Sequence, residues 1–483
     1  MSEFTDRPLR KQDLSKTQEQ SAIGAIVGSA VGDALGAPFE FKAPGLFAKT
    51  FPTPIIGEKG EMIGGGSFNW ARGEFTDDTQ MAMALAESLL EADGYDPSLT
   101  FGHFRAWASD ANDIGNTTSA ALRNSDYLTA AQLAHERIGH TGSNGAVMRV
   151  APVGVMGAMR GAVWTRETAL QQAALTHFDP IAQWSAVVVA EFIRRLIVIG
   201  NPVDSLDHLA EIVPAEHRAA MEQAISGTDP MLNANNGDAL ICVAQAFWAY
   251  RRADSFSDTV QLAINLGGDT DTVAAVAGAM AGARYGIQGI PARWTTYLHG
   301  NVRQPSGELI TYNNGALQDL ARSLIGLGPK DETDLEDLIE PKMLHDIGIW
   351  ASNITGAQDS HTDFAVVSLC RTYGRFKHHE VRREYFLLDR DNSNPGLQDI
   401  MWDAVHTIEA FLREGRQVLV HCHGGRSRTG FILKAWYMVR YRKTHSEAHD
   451  WLREIWPHYQ VWTYDFGYLL DDLEIEIFST ATE

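Results

Sequence analysis

The chain has 483 residues, of which 45% are hydrophobic and 21% charged, a balance that excludes a disordered or fibrous protein. It is longer than one growing hydrophobic core sustains, so two or more domains are expected. A formal charge of −21 excludes a broad polyanion-binding surface and argues against nucleic acid as a partner, because nucleic acid is held chiefly by clustered Lys and Arg. The only cysteines are Cys242, Cys370 and Cys422, which argues against a disulfide framework and fits a reducing, cytoplasmic location.

The opening stretch "MSEFTDRPLRKQDLSKTQEQ" lacks the apolar core of a signal peptide, and residues 1–19 read as a mobile polar tail. From residue 20 to 325 the chain is rich in Ala and Gly, with helical-period runs such as "TQMAMALAESLLEA", "DALICVAQAFWAYRRA" and "TDTVAAVAGAMAGARYG". Strand-type alternation is almost absent, so an all-α domain with its chemistry in the connecting loops is expected. Apolar runs such as "WSAVVVAEFIRRLIVIG" are interrupted by charge within a span too short to cross a bilayer, so no membrane span is expected.

Two acidic clusters punctuate this region. "GEFTDDTQMAMALAESLL" places Thr76, Asp77 and Asp78 at a helix start, and "NLGGDTDTVAAVAGAMAG" places Asp269, Asp271 and Thr272 behind a Gly-Gly turn. One such segment would ordinarily mean helix capping. If the two helix starts face each other, four carboxylates meet, and they cannot all stay ionised in one pocket without cations. Carboxylate and hydroxyl oxygens suit hard octahedral ions, so a pair of Mg²⁺ or Mn²⁺ ions is expected. No His-rich or Cys-rich set accompanies them, which argues against zinc.

Residues 326–341 combine Gly, Pro and an acidic cluster and read as a linker. Beyond it, residues 342–483 alternate strand-type runs, "DFAVVSLC" and "QVLVHC", with helical patterns, "QDIMWDAVHTIEAFLREG" and "SEAHDWLREIW", which indicates an α/β domain. In "HCHGGRSRTG" a buried strand is expected to end at Cys422 and a helix to follow, so that residues 422–428 form the turn. The N–H groups of such a turn, with the positive helix end behind them, converge on an anion. The same field favours a Cys422 thiolate. Arg428 can grip phosphate oxygens in two places, and Gly424 and Gly425 let the backbone approach the ligand. Thr429 can hydrogen-bond the thiolate. The leaving oxygen needs a proton, for which "YFLLDRDNSNPG" offers Asp391 first and Asp389 second.

The decapeptide resembles the His-Cys-x5-Arg-Thr pattern of the protein tyrosine and dual-specificity phosphatases. That resemblance implies a phosphate cradle spanning His423, Gly424, Gly425, Arg426 and Ser427, a Cys422 nucleophile and a phosphocysteine intermediate. His423 and Arg426, both capable of positive charge, resemble the basic loops of phosphatases whose substrates carry more than one phosphate. Upstream, "GSAVGDALGAPFEF", "TDDT", "DIGNTT", "GSNGAVMRVAPVG", "THFDP" and "GGDTDT" occur in the order seen in ADP-ribosylglycohydrolases. This second resemblance implies that Thr76, Asp77, Asp78, Asp269, Asp271 and Thr272 ligate a dinuclear Mg²⁺ or Mn²⁺ centre. It implies further that Gly142, Ser143, Asn144, Gly145, Ala146 and His177 border the ADP-ribose. Glu40 matches a glutamate on a mobile flap of relatives that cleave serine-linked ADP-ribose. Asp113 matches an aspartate of relatives that cleave the arginine linkage, and with both present the two markers do not settle the linkage.

The expectation is a multidomain, bifunctional hydrolase: an all-α ADP-ribosylglycohydrolase-like domain followed by an α/β cysteine phosphatase. Its partners would be an ADP-ribosylated protein or small molecule, with the arginine linkage favoured, and a phosphorylated substrate. The alternative is a phosphatase targeted by a non-catalytic ADP-ribose-binding domain.

Overall fold

The computed structural model describes residues 6–57, 60–206, 208–232, 234–328, 337–372, 374–394 and 396–479. These fall into two compact units, the first from residues 1–54, 61–290 and 297–330, the second from residues 55–60, 291–296 and 331–483. Of the expected linker, residues 329–336 lie outside the described residues.

The first unit is helix-rich. Helix α1 (Lys16–Gly36) starts inside the stretch expected to be a tail, because Ser15 and Gln18 form a reciprocal capping box that satisfies its first N–H groups. Every residue from Glu19 to Gly36 is buried. Together with the turn up to Phe39, this helix is long and apolar enough to cross a membrane by length and composition alone, yet 94% of its apolar window is buried within the protein. A helix apolar all round belongs in a core, and α1 is the core helix here.

Helix α2 (Asp77–Glu91) and helix α3 (Thr270–Tyr285) begin at the two acidic clusters. Small residues explain how α3 meets α1: a Cβ added at Gly24, Gly28 or Gly32 would strike the carbonyl of Gly282, Gly278 or Ala274. At the end of this seam the Thr270 hydroxyl donates to the Gly36 carbonyl at 2.9 Å. Backbone-to-backbone packing therefore fixes where the second acidic cluster sits. The departure from an all-helical unit is a two-stranded antiparallel ladder of β1 (His299–Arg303) and β2 (Leu309–Asn313). It flanks the entry to α2, with Phe75 N–H donating to the His299 carbonyl at 3.0 Å.

The second unit is an α/β layer structure. Strands β3 (Lys342–His345), β4 (Ile349–Asn353), β5 (Ala365–Ser368), β6 (Arg382–Glu384) and β7 (Val418–Cys422) form one sheet in the order β3-β4-β7-β5-β6. Only β3 runs antiparallel to its neighbour. Helices α4 (Leu397–Arg413), α5 (Ser427–Tyr441), α6 (His445–Ile455) and α7 (Tyr464–Ser479) accompany it. All five residues of β7 are buried, as expected of a central parallel strand. Residues 55–57 and 291–296, assigned by sequence to the helical domain, pack in this unit: Arg383 donates to the Ile56 carbonyl at 2.9 Å, and the Glu384 N–H to Thr296 Oγ1 at 3.1 Å.

Candidate active sites

In the first unit α1 organises both acidic clusters. Asp33, buried on α1, accepts from Thr76 N–H at 3.0 Å, from Thr79 N–H at 3.0 Å and from Thr79 Oγ1 at 2.6 Å, so its carboxylate caps the start of α2. Across the site the Thr272 hydroxyl donates to Asp78 Oδ2 at 3.3 Å, which joins the starts of α2 and α3. Asp269 is held from two sides. Its N–H donates to Asn236 Oδ1 at 2.9 Å, while Asn144 Nδ2 donates to Asp269 Oδ2 at 2.9 Å. Asn236 also donates to the Gly267 carbonyl at 2.8 Å, which clamps the Gly-Gly turn. Gly267 and Gly268 adopt φ of +75° and +73°, the left-handed region that favours glycine.

Glu40 joins this cluster. Oxygens of Glu40, Asp269 and Asp271 lie within 4.8 Å of one another. The Glu40 segment meets the Gly-Gly turn, Phe41 N–H donating to the Gly268 carbonyl at 2.7 Å and Gly268 N–H to the Lys42 carbonyl at 3.2 Å.

The electrostatics follow from crowding. Burial, then neighbouring carboxylates, push Asp77, Asp78 and Asp271 well above the usual carboxylate range. Burial and then Asp269 push Glu40 up to about 8 and Asp113 up to about 6. Burial likewise raises Asp33 to about 6, against the hydrogen bonds from Thr79 and Thr76. Asp78 Oδ1 and Glu40 Oε2 are buried with no hydrogen-bond partner among the described residues. Oxygen-only donors, crowded carboxylates and unpartnered buried lone pairs fit a hard divalent cation.

The loop at residues 142–146 borders this cluster through Asn144. His177 stands behind the loop: it is fully buried, with Nε2 3.0 Å from Ser143 Oγ and Nδ1 2.8 Å from Thr176 Oγ1. Ser143 donates onward to Thr117 Oγ1 at 3.0 Å, so the imidazole donates from Nε2. Burial, then Arg149, push His177 well below its ordinary pKa, which keeps it neutral. His177 thus braces the loop from within the core.

In the second unit β7 delivers Cys422 at its carboxyl end, between β4 and β5, where ligands bind in open α/β sheets. His421 is fully buried; Nε2 lies 2.7 Å from Ser368 Oγ, and burial lowers its pKa to about 3. The cradle is tied down by Ile354 N–H donating to the His423 carbonyl at 3.1 Å and by Trp456 Nε1 donating to the Gly425 carbonyl at 2.8 Å. Gly425 has φ +65°, and a Cβ there would lie 2.6 Å from the Ser352 carbonyl, so the turn requires glycine.

Arg428 NH1 donates to the Leu387 carbonyl at 3.0 Å, and its Nε lies 3.7 Å from Asp389 Oδ2. Asp389 Oδ1 accepts from Thr463 Oγ1 at 2.7 Å. Asp391 Oδ1 instead accepts from Asp465 N–H at 3.0 Å. The structure thus brings Asp389, not Asp391, to the arginine. The Thr429 hydroxyl is buried but makes no hydrogen bond among the described residues, so the expected bond to Cys422 is not formed. Arg426 lies over the Trp462 ring, 5.6 Å from its centroid.

Sequence reasoning missed Asp33, Asn236, Trp456 and Thr463. Asp33 left a signal, a lone carboxylate inside the apolar run "GSAVGDALG"; the other three read as ordinary loop or helix-end residues.

A buried acidic cluster at two helix starts and a cysteine at a strand-to-helix anion cradle define a chain with two hydrolase-type sites. Residues 14–333 match the ADP-ribosylglycohydrolase family, and the chain belongs to that family. Residues 352–461 match the catalytic domain of dual specificity phosphatases. The chain is 30% identical over 284 residues to the ADP-ribosyl-[dinitrogen reductase] glycohydrolase of Rhodospirillum rubrum, covering 59% of this chain and 92% of that protein. It is 32% identical over 322 residues to the ADP-ribosylarginine hydrolase Tri1 of Serratia proteamaculans (strain 568), covering 64% and 80%. A solved structure described as an ADP-ribosylglycohydrolase-related protein complex covers 65% of this chain and 99% of its own, with a TM-score of 0.50 and 29% identity.

Proposed function

We propose that the chain is a bifunctional hydrolase that removes ADP-ribose from arginine-linked substrates in its first unit and phosphate from a monoester in its second. The observation carrying the first activity is the convergence of Glu40, Asp269 and Asp271 within 4.8 Å, beside the buried Asp77 and Asp78. A binding module for ADP-ribose has no need of so many crowded carboxylates. Arginine is favoured over serine by likeness to the Serratia relative, whose name specifies that linkage.

Thr76, Asp77, Asp78, Asp269, Asp271 and Thr272 would hold two Mg²⁺ or Mn²⁺ ions, which when bound supply charge neutralisation and Lewis acidity at the ribose. Asn144 and Asn236 keep Asp269 in register, and the loop at residues 142–146, braced by His177, positions the nucleotide. Glu40, which stands against Asp269 and Asp271, and Asp113 are the carboxylates outside the ligand set that would move the proton at the anomeric carbon.

In the second unit Cys422 Sγ attacks phosphorus, forming an S–P bond as the P–O bond to the leaving group breaks. Arg428 and the N–H groups of residues 423–428 hold the non-bridging oxygens. Asp391 gives the leaving oxygen its proton, while Asp389, beside Arg428, orients the guanidinium. Water then breaks the S–P bond, returning a proton to Asp391 and releasing phosphate. The basic His423 and Arg426 suit a substrate with more than one phosphate.

The test is mass spectrometry of an arginine-ADP-ribosylated peptide incubated with the chain in Mg²⁺ or EDTA, alongside Asp269→Asn and Cys422→Ser. Loss of the ADP-ribose mass only with metal, abolished by Asp269→Asn and unaffected by Cys422→Ser, is expected. No loss in any condition would overturn the arginine assignment, and persistence in EDTA would overturn the metal role.

A further inference from the structure

Helix α5 buries a lysine on the wall of a pocket that adjoins the Cys422 cradle and shares Ser427 with it. Lys434 is 4% exposed, and the pocket of about 120 Å³ beside it is lined by Ser427, His445, His449, Tyr459 and Thr463 among others. That volume is several times the roughly 30 Å³ a liquid water occupies. The exposed Gln460 and Val461 stand at its rim.

A buried ammonium ordinarily faces a carboxylate. This one does not: Lys434 Nζ lies 2.9 Å from His445 Nε2 and 5.4 Å from the centroid of the Tyr459 ring. His445 Nδ1 faces Asp471 Oδ1 at 2.7 Å, so Nδ1 carries the proton and Nε2 accepts from the lysine. The carboxylate therefore stands on the far side of the imidazole. An ammonium has three donors, His445 takes one, and among the described residues the others have no acceptor. His449, whose Nδ1 lies 3.3 Å from the Tyr459 hydroxyl, also lines the pocket. Burial, then Lys434, push His449 below its ordinary pKa. Burial lowers Lys434 only to about 8, which leaves it mostly cationic at neutral pH.

We propose that this pocket binds inorganic phosphate, held by Lys434 Nζ and His449, as a second anion site beside the Cys422 cradle. Thr463 gives the site a route to the chemistry, since it lines the pocket and donates to Asp389 at 2.7 Å.

The experiment uses the full chain carrying Arg428→Met, which disables the cradle, with ¹³C-labelled histidine rings assigned by His445→Gln and His449→Gln. Sodium phosphate is titrated at constant ionic strength. The expected result is a saturable shift of the His445 and His449 resonances, with affinity weakened tenfold or more by Lys434→Met and largely kept by Lys434→Arg. A linear, unsaturating drift, or saturation untouched by Lys434→Met, would overturn the proposal. Should Lys434→Met not fold, His449→Gln is expected to weaken the His445 response several-fold, and an unchanged response would be equally fatal.

Discussion

Gly36 of helix α1 and Asp271 of helix α3 meet with no room for a side chain between them: a Cβ on Gly36 would lie 2.6 Å from the Asp271 Cα. Gly36→Ala is therefore expected to wedge the two helices apart just where Asp271 enters the acidic cluster. Overpacking of this kind costs about 1–3 kcal/mol. Metal-stimulated ADP-ribose release should fall at least tenfold, with phosphatase activity unchanged. Gly102→Ala, where nothing lies within 4 Å, is the matched control and should leave both activities intact.

Asp33 holds the start of α2 by three donors that converge on Oδ2, with Thr76 N–H also reaching Oδ1, and an amide in its place loses the charge and sets an NH2 against Thr76 N–H. Asp33→Asn is expected to destabilise the first unit by about 1–3 kcal/mol through the unsatisfied buried groups it leaves. Chemical denaturation followed by a probe in the first unit measures it. A change below the noise of that measurement would mean the carboxylate is not the organiser of the TDDT turn.

Crowded carboxylates give a pH dependence with a definite sign. Asp33 is raised from 3.8 to about 6, and Glu40 from 4.5 to about 8. Between those limits the folded metal-free chain binds more protons than the unfolded one, so its stability falls as pH rises from about 4 to 8. A divalent cation replaces the protons, so stabilisation by Mg²⁺ or Mn²⁺ should grow over the same window. Thermal unfolding in EDTA and in metal at several pH values tests both statements; a metal-free stability that rises toward pH 8 contradicts them.

His177 braces the loop at residues 142–146 from within the core. His177→Ala removes its hydrogen bonds to Ser143 and Thr176 and is expected to cost about 1–3 kcal/mol. Because the residue acts through the loop, KM for the ADP-ribosylated peptide should rise more than kcat falls. A pure kcat loss with unchanged KM would instead make it a participant in the chemistry.

Trp456 secures the cradle through the Gly425 carbonyl. Trp456→Phe keeps most of the packing and deletes that 2.8 Å bond, so hydrolysis of an aryl phosphate should drop several-fold with ADP-ribose release untouched. In the same assay, Asp391→Asn should hurt poor leaving groups far more than good ones, whereas Asp389→Asn should act chiefly on KM. The reverse pattern would exchange the roles assigned to the two carboxylates.

The legible parts were those whose chemistry is contiguous. A strand-type run ending at Cys422, glycines inside the turn and an arginine at Arg428 form one local object, and β7 and α5 fold around it as the spacing implied. The two acidic helix starts were likewise legible, because Thr and Asp at those positions mark N-termini whatever else they do. Less legible is the ladder of β1 and β2, whose five-residue strands are too short to show a clear alternation. The start of helix α1 is also less legible, because the capping box at Ser15 and Gln18 lies in a stretch whose composition reads as a polar tail.

By itself, then, the sequence determined which groups are chemically competent: a cysteine at a helix start, paired carboxylates at two others, and small residues along the faces of α1 and α3. Only the tertiary structure decided which of them meet. It brought Glu40 from a loop near residue 40 to Asp269 and Asp271, set Asp389 rather than Asp391 beside Arg428, and buried Lys434 against His445, with Asp471 beyond the imidazole. The physical reason is that ligand clusters and ion pairs depend on through-space distances of a few ångströms. Those distances are set by the close approach of packed helices and by hydrogen bonds between segments far apart in the chain, and local periodicity does not encode them.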